Sequence, residues 1–395
     1  MINRIWLFII FLICPSIGKA QQNFYDTDFT LSHKSFVFTI PIEVEHNQIY
    51  LTMEFQGQPL RFKLDTGASQ GVIYDDVPLN GLTEKGYIKS KDANGQIRQV
   101  TTVELPTFKI GQLSVSNYKV QKMHRQVMRK GEDGIIGFAL FHKGITAKID
   151  IRNQQLTLTD KKDYFKQEKG EILKYQLHHH VPYIKISPFE DVEEEVLFDT
   201  GSALPYAINE QSFTQLTRRH PTISKQVEGT TYGSRIIGHF GAEHPKLITL
   251  LCLKRLMWGR FAYKDVHCTT VQGGSHVGAP LLQYAALIIN PFRRRLILQP
   301  YDNQMSCMVS NRQPDIVIVE NDGQAMIGMV LNNSQAWADG FRFGQVIEQV
   351  NNKPITFAQF LRFKWVKDTK YRFTITLPQG ARETIQALWP FQYNN

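Results

Sequence analysis

The stretch Arg61–Ser69 (RFKLDTGAS) carries an apolar run that ends in the triplet Asp65–Gly67 (DTG). The triplet returns in Glu195–Ala203 (EVLFDTGSA), again directly after an apolar run. One Asp-Thr-Gly can be an ordinary turn, because aspartate and glycine are both common turn formers. Two copies behind matching predicted strands instead indicate one structural unit that is used twice.

Further segments repeat after each triplet. The first copy continues to Asp133–Phe141 (DGIIGFALF) and the second to Ser275–Leu282 (SHVGAPLL), and a pair of apolar strands follows each. Both copies therefore predict an apolar strand, an Asp-Thr-Gly loop, hairpins, an apolar segment containing glycine, a short helix and a closing hairpin.

This order of motifs resembles the retropepsin and pepsin superfamily of aspartic peptidases, in which two lobes each supply one aspartate to a shared cleft. Asp65 and Asp199 are 134 positions apart, which suits two retropepsin-sized lobes joined in tandem. The resemblance covers about residues 35–302. It implies a mainly β fold of two pseudo-symmetric lobes, with Asp65 and Asp199 as the catalytic residues.

Two facing carboxyl groups can activate water without a metal. They cannot both ionise cheaply, so one keeps a proton while the other acts as a base. The resemblance implies that the threonines exchange hydrogen bonds between the lobes and that the glycines allow the tight loops. The residues expected to support the dyad are Thr66, Gly67, Thr200, Gly201 and Ser202.

The two loops differ at the position after the glycine. Ser202 occupies this position in the second loop, whereas the first loop has Ala68. A serine hydroxyl can donate to a carboxylate oxygen and stabilise its charged form, and an alanine side chain cannot. We therefore expect the pair to work at a less acid pH than a pair with hydroxyls on both sides.

A hairpin that covers the substrate is predicted in the first lobe. Residues Tyr87–Val100 alternate around Asn94 and Gly95, which form a strong two-residue turn signal. Tyr232–Gly241 is its counterpart in the second lobe. The alternative is that both are plain surface hairpins.

Three cysteines follow the N-terminal region: Cys252, Cys268 and Cys307. Cys252 and Cys268 lie in neighbouring apolar segments and are a candidate disulfide in an oxidising compartment, with two buried free thiols as the alternative. No motif of paired histidines and carboxylates has metal-ligand spacing. We therefore expect no metal and no cofactor.

The N-terminus has the three regions of a secretory signal peptide: Arg4, the apolar run Ile5–Cys14 and the small residues of Ser16–Ala20. We expect cleavage after Ala20 and a periplasmic or extracellular protein. A lipoprotein signal at Cys14 ranks second, because no small residue stands at its cleavage position. No later run reaches the ~18 apolar residues of a spanning helix, so no transmembrane anchor is expected in the mature chain.

The basic residues do not indicate nucleic-acid binding. Removal of the signal peptide takes away Arg4 and Lys19, so the formal charge falls from +9 to 9 − 2 = +7. The remaining clusters, such as Arg293–Arg295, are not interleaved with aromatic residues as single-strand binding grooves are. We interpret them as solvated surface.

The repeated pattern of strands and motifs ends at about residue 302. A polar stretch without periodicity, residues 303–314, predicts a linker. Beyond it, Ser334–Pro354 (SQAWADGFRFGQVIEQVNNKP) resembles the core of a PDZ domain of the bacterial protease-associated type. Such a domain would bind a peptide substrate or partner. A small β-rich packing domain that binds no peptide is the alternative.

The predicted organisation is a signal peptide (1–20), two protease lobes (21–162 and 163–302), a linker (303–314) and a PDZ-like domain of mixed α and β structure (315–395). The predicted function is an exported aspartic endopeptidase acting on peptides or proteins. A catalytically silent peptide-binding or scaffold protein with the same fold is the alternative. Because few contacts cross a linker, we expect a chain cut near Met308 to keep two working lobes.

Overall fold

The computed structural model describes residues 29–302 and 304–389, so the predicted signal peptide and Cys14 lie outside the described residues. The fold is mainly β, as the sequence predicts. Within the described part of the chain, no helix has the length and apolarity needed to cross a membrane.

The first lobe, as we call residues 29–162, consists of short strands, one turn of 3-10 helix (Val127–Arg129) and one short α-helix. Its strands are β1 (Thr30–Leu31), β2 (Val37–Pro41), β3 (Glu43–Glu45), β4 (Gln48–Phe55), β5 (Gln58–Asp65), β6 (Gly71–Tyr74), β7 (Thr83–Lys91), β8 (Ile97–Glu104), β9 (Phe108–Ile110), β10 (Leu113–Ser116), β11 (Lys119–Met123), β12 (Gly134–Gly137), β13 (Thr146–Asp150) and β14 (Gln155–Thr159), with helix α1 (Ala139–His142) after β12.

The second lobe, as we call residues 163–302, contains several longer strands. Its strands are β15 (Glu171–His178), β16 (Val181–Phe189), β17 (Val192–Asp199), β18 (Tyr206–Asn209), β19 (Val227–Gly233), β20 (Ile237–Gly238), β21 (Gly241–Ala242), β22 (Lys246–Trp258), β23 (Phe261–Val271), β24 (His276–Gly278), β25 (Ala285–Asn290) and β26 (Arg295–Pro300). Helix α2 (Glu210–Arg219) follows β18, and its N-terminus is capped by Asn209, whose side chain accepts from the Ser212 N–H.

Both Asp-Thr-Gly loops have the same strand neighbours. Strand β5 runs parallel to β12 with Asp65 opposite Gly137, and β17 runs parallel to β24 with Asp199 opposite Gly278. Strands β6 and β18 pair antiparallel with β12 and β24 respectively. The repeated motifs thus fold into the same local arrangement twice.

A glycine is required where each loop crosses its neighbouring strand. A Cβ on Gly137 would lie 2.6 Å from the carbonyl oxygens of Ala68 and Gln70, and one on Gly278 would lie 2.2 Å from the Leu204 oxygen. Any side chain would push the loop away from the strand. This close approach explains the glycine that follows the apolar residues in both motifs.

The closing hairpins join the two lobes. Strand β13 pairs with β14 and β25 pairs with β26, and β13 also pairs with β25 across the lobe boundary. Strands β2 and β15 extend this sheet at its two ends. One continuous apolar core therefore spans both lobes, from Phe29 to Val309.

The C-terminal unit (residues 315–389) has its own core, formed by buried residues between Ile316 and Trp389. Its elements are β28 (Ile316–Asn321), β29 (Gln324–Val330), α3 (Gln335–Ala338), β30 (Val346–Val350), β31 (Lys353–Pro354), α4 (Phe357–Leu361), β32 (Thr369–Thr376) and β33 (Arg382–Trp389). Thr356 and Gln359 form a capping box at the start of α4.

The polar stretch between the second lobe and the C-terminal unit does not behave as a loose linker. Strand β27 (Ser306–Met308) lies parallel to β23 of the second lobe. Asn311 and Gln313 then donate side-chain hydrogen bonds to backbone oxygens of the same strand. The aperiodic sequence concealed this, because one short strand and two side-chain amides leave no repeating pattern.

The C-terminal unit also contacts both lobes directly. The Gly233–Met329 pair joins β19 to β29, and the Ser234 N–H donates to the Gly328 oxygen at 2.7 Å. Met329 is buried against Ile248 and Leu250 of the second lobe. Val127 of the first lobe packs on the core of the C-terminal unit.

Candidate active site

The two Asp-Thr-Gly loops are tied together through their threonines. The Thr66 N–H donates to Thr200 Oγ1 at 3.0 Å, and the Thr200 N–H donates to Thr66 Oγ1 at 3.0 Å. Each hydroxyl then donates to a carbonyl oxygen of the opposite lobe, that of Phe198 or Leu64. Both threonines are buried, so this four-bond network holds the loops in one fixed relative position.

The network places the carboxyl groups of Asp65 and Asp199 against each other. They share a hydrogen bond, and each also lies against the glycine of the opposite loop. A Cβ on Gly67 would lie 2.5 Å from Asp199 Oδ1, and one on Gly201 would lie 2.2 Å from Asp65 Oδ2. Both glycines are therefore needed for the contact between the carboxyl groups.

Burial and the neighbouring carboxyl group raise the pKa of Asp199 to about 8. The first cause is desolvation, which disfavours the charged form, and the second is repulsion by Asp65. The pair therefore keeps one shared proton at neutral pH, because two negative charges in contact are too costly where water is largely excluded.

The two aspartates have different partners. Asp65 Oδ1 accepts from the N–H groups of Gly67 and Ala68, each at 3.0 Å. Asp199 Oδ1 accepts from the Gly201 N–H at 2.8 Å. Asp65 thus accepts one backbone hydrogen bond more than Asp199, and the raised pKa of Asp199 makes Asp199 the member of the pair that holds the proton.

The expected role of Ser202 is not what the structure shows. His276 Nδ1 lies 3.0 Å from the Gly274 oxygen, which can only accept, so the ring proton is on Nδ1. Burial lowers the pKa of His276, which keeps the ring neutral. Its Nε2, at 3.1 Å from Ser202 Oγ, therefore accepts the Ser202 proton, and the hydroxyl supports the loop rather than the Asp199 carboxylate.

Sequence reasoning missed a buried lysine beside the pair. Lys63 Nζ lies 3.7 Å from Asp65 Oδ2, and the lysine side chain is buried. Desolvation lowers the pKa of Lys63, with repulsion from Arg129 as the next cause. The signal was present in the sequence, because residues i and i+2 of a strand share a face and Lys63 stands two positions before Asp65.

A hairpin of the second lobe also reaches this region. His239 lies at the turn between β20 and β21, and desolvation and the nearby cations Arg129 and Lys63 hold its pKa well below the ordinary value. Gln126 of the first lobe donates to the oxygens of Gly238 and His239. This hairpin therefore lies between the two lobes and close to the charged groups around Asp65.

The predicted first-lobe flap is the hairpin of β7 and β8, but its turn is longer than expected. Asp92 closes this turn. Its side-chain Oδ1 accepts from the backbone N–H groups of Asn94 and Gln96, and its main-chain carbonyl oxygen accepts from the Gly95 N–H. The aspartate side chain replaces the two-residue turn that Asn94 and Gly95 predict.

The tip of this hairpin is docked on the second lobe. Asn94 Nδ2 donates to the Gly241 oxygen at 2.9 Å, and the Phe240 N–H donates to Asp92 Oδ2 at 3.1 Å. A Cβ on Gly238 would lie 2.2 Å from Asp92 Oδ2. The two hairpins predicted as counterparts thus contact each other and form a closed arrangement.

The candidate disulfide is not formed, and the cysteines within the described residues are free. In the β22–β23 hairpin, Cys268 stands opposite Leu251, and Cys252 stands opposite His267. Directly opposed residues share a face and neighbours along a strand alternate, so the two cysteines point to opposite faces. The register of the hairpin therefore keeps the two thiols apart.

The comparisons with known proteins support part of this picture. No curated protein matches the chain. A family model described as aspartyl protease matches residues 51–140, which include the first Asp-Thr-Gly loop and the Gly134–Gly137 strand. This similarity supports an aspartyl protease, at the level of the family, in the first lobe of the protein.

Proposed function

We propose that the protein is an exported aspartic endopeptidase whose catalytic residues are Asp65 and Asp199. The observation that carries the proposal is the contact between these two carboxyl groups, held by the crossed threonine hydrogen bonds. Export is inferred from the N-terminal sequence alone. The aspartyl protease similarity of residues 51–140 supports the reaction class.

The partners of each carboxyl group suggest how the pair would work. Asp65, with two backbone donors and Lys63 nearby, carries the negative charge and takes a proton from a water molecule as that water attacks the peptide carbonyl. Asp199, whose pKa is raised, donates its proton to the developing alkoxide. Because the two groups are coupled, their ionisations belong to the pair as a whole.

The rival proposal is a catalytically silent peptide-binding or scaffold protein. A silent protein would need the fold but not the contact between the two aspartates. Two carboxyl groups held in contact cost stability, because one of them must stay protonated. Retention of both aspartates and of the network around them favours the peptidase. For the C-terminal unit we propose a role in binding a peptide partner or substrate, on the sequence resemblance to PDZ domains.

Substitution of either aspartate tests the peptidase. Asp65→Asn and Asp199→Asn should each lower peptide cleavage by at least ~10²- to 10⁴-fold, because proton transfer needs both groups. Cleavage of a mixed peptide library by mass spectrometry measures this. Asp191→Asn is the matched control, since Asp191 is exposed in a turn at φ 57°, a conformation that asparagine tolerates.

Thermal unfolding of each variant must accompany the activity measurement. Folded Asp65→Asn or Asp199→Asn protein with cleavage close to that of Asp191→Asn would remove the proposed mechanism. No cleavage by the wild-type protein across pH, together with binding of a statine-type transition-state mimic, would favour the scaffold protein.

A further inference from the structure

Three strands of the second lobe bring together side chains that are not part of the aspartate pair. Cys252 of β22 and His267 of β23 are direct cross-strand partners. Glu228 lies on β19 at an irregularity, between Val227 and Gly229, where β19 pairs with β22. The carboxylate, thiol and imidazole ligand atoms of these residues all lie within 4.8 Å of one another.

The donor set selects a class of ion. Zinc is bound by combinations of cysteine sulfur, histidine nitrogen and carboxylate oxygen, in tetrahedral geometry. Calcium and magnesium prefer oxygen ligands throughout, so a thiol and an imidazole side by side disfavour them. Three protein ligands would leave the fourth position of a zinc ion to water, which can reach the partly exposed Glu228 and His267 side chains.

The surroundings hold the histidine in place. The backbone N–H of His267 donates to Asn311 Oδ1 at 3.1 Å, and Asn311 Nδ2 donates to the backbone carbonyl oxygen of His267 at 2.7 Å. On the ring, His267 Nδ1 lies 2.9 Å from Glu228 Oε2. An ion that enters between these groups therefore meets ligands on hydrogen-bonded strands that already lie close together and need only small side-chain movements.

The charge around the cysteine also favours a cation. Glu228 and Asp265 each have a carboxylate close enough to Cys252 to interact with it electrostatically. These two carboxylates attract a positive ion. A bound divalent cation would balance their charge, and the cysteine would bind it as a thiolate.

We propose that Glu228, Cys252 and His267 form a zinc-binding site that joins strands β19, β22 and β23. The three residues are 24 and 15 positions apart, so no compact sequence motif marks the site. An ion bound there would tie the three strands together, and none of its ligands belongs to the aspartate pair. Strand β19 also pairs with the C-terminal unit, so the ion would stabilise that contact as well.

Metal titration of the full chain tests the proposal. Protein stripped with a chelator is dialysed and titrated with Zn²⁺ by calorimetry, and separately with Co²⁺ by absorption spectroscopy. We expect one ion per chain, a thiolate-to-cobalt charge-transfer band and a higher unfolding temperature with Zn²⁺. Absence of a stoichiometric Zn²⁺ site, or Co²⁺ binding without a thiolate band, would overturn the proposal.

Variants locate the site. Cys252→Ser and Glu228→Gln should weaken binding by more than the ~10- to 100-fold that loss of an outer-shell partner costs. Cys307→Ser is the matched control, because Cys307 is also a partly exposed free thiol but lies on β27. Equal Zn²⁺ affinity in Cys252→Ser and Cys307→Ser would contradict the assignment.

Alkylation of the wild-type chain gives an answer even if a variant does not fold. Iodoacetamide labelling followed by peptide mass spectrometry compares the two partly exposed thiols with and without Zn²⁺. Zn²⁺ should protect Cys252 and leave the labelling of Cys307 unchanged. Equal labelling of Cys252 in both conditions would overturn the site.

Discussion

At the scale of single residues, the two aspartates differ because of their local partners. Asp65 has two backbone donors and a lysine nearby, whereas Asp199 has one backbone donor and a raised pKa. Both loops have the same Asp-Thr-Gly sequence, so the difference arises from neighbours outside the triplets. Lys63 is the clearest of these, because the second lobe has Leu197 at the equivalent position.

Replacement of this lysine should move the pH profile. In Lys63→Met, the negative charge of the pair loses a cation at 3.7 Å, so the first ionisation of the pair needs a higher pH. We expect the acid limb of kcat/KM to shift upward by about one pH unit, at the low end of the effect of an adjacent opposite charge. The pH dependence of peptide cleavage measures the shift.

Lys174→Met is the control for this prediction, because Lys174 lies exposed on β15. An acid limb at the same pH in Lys63→Met and Lys174→Met would show that Lys63 does not act on the pair.

Asp199 should also make stability depend on pH. Its pKa is about 8 in the folded protein against an ordinary value of 3.8, so the folded state keeps a proton that the unfolded state releases between these values. Stability from this group is complete below about pH 4 and declines as pH rises toward about 8. The slope is at most ~1.4 kcal/mol per pH unit for one proton.

Asp199→Asn removes this decline, because asparagine does not titrate. Urea unfolding from about pH 4 to pH 8 should show the variant gaining stability relative to the wild type as pH rises. Asp191→Asn should follow the wild type. A constant difference between Asp199→Asn and the wild type over this range would refute the raised pKa.

At the scale of secondary-structure elements, the β7–β8 hairpin of the first lobe contacts the β20–β21 hairpin of the second lobe. The contact consists of a few polar bonds at two loop tips, with Asn94 and Asp92 on one side and Phe240 and Gly241 on the other. Contacts of this kind open at low cost compared with a packed core. We infer that a substrate would enter by separating these two hairpins.

Asn94→Ala should make that opening easier. The substitution removes the 2.9 Å bond to the Gly241 oxygen, and one such bond is worth about 1 kcal/mol, or roughly a fivefold change in an opening equilibrium. Hydrogen exchange in β7, β8 and residues 236–242 should become faster by about this factor.

Gln99→Ala is the control, since Gln99 is exposed on β8 away from the turn. Unchanged exchange in Asn94→Ala, or equal acceleration in both variants, would show that the tip contact does not hold the hairpins together.

At the scale of the whole molecule, the C-terminal unit is packed on the lobes. Met329 lies in an apolar cluster with Ile248 and Leu250 of the second lobe. Val127 of the first lobe packs on the core of the C-terminal unit. The expectation that a chain cut near Met308 keeps two working lobes rested on an aperiodic linker with few contacts. These contacts reverse that expectation.

A chain that ends at Met308 should unfold at a temperature several degrees below that of the full chain and lose cleavage of short peptides as well as of proteins. The cut exposes Ile248 and Leu250 and removes the bonds from Asn311 and Gln313 to β23. A chain that ends at Gln313 keeps those bonds but still exposes Ile248 and Leu250. Comparison of the two chains therefore separates the effect of the hydrogen bonds from that of the apolar contact.

Calorimetry and peptide cleavage on the two truncated chains test this prediction. Full activity on short peptides with an unchanged unfolding temperature in the shorter chain would restore the interpretation of an independent domain.

The sequence by itself determined the features that depend on local patterning. Two copies of a strand, an Asp-Thr-Gly loop and a glycine-containing apolar segment predicted two matching arrangements, and both are present because only glycine permits the close backbone approach at Gly137 and Gly278. The strand alternation around Asp65 also places Lys63, two positions earlier, on the same face of the strand.

The tertiary structure decided what depends on register and on contacts between distant segments. Cys252 and Cys268 point to opposite faces because their strands pair one residue out of step, and Ser202 donates to His276 because the chain returns there 74 positions later. The C-terminal contacts likewise join distant residues, about 80 positions apart between Met329 and Leu250 and about 230 positions apart between the segment at Val127 and helix α4. A one-residue change of register reverses the face of every side chain in a strand, and composition and local spacing do not encode it.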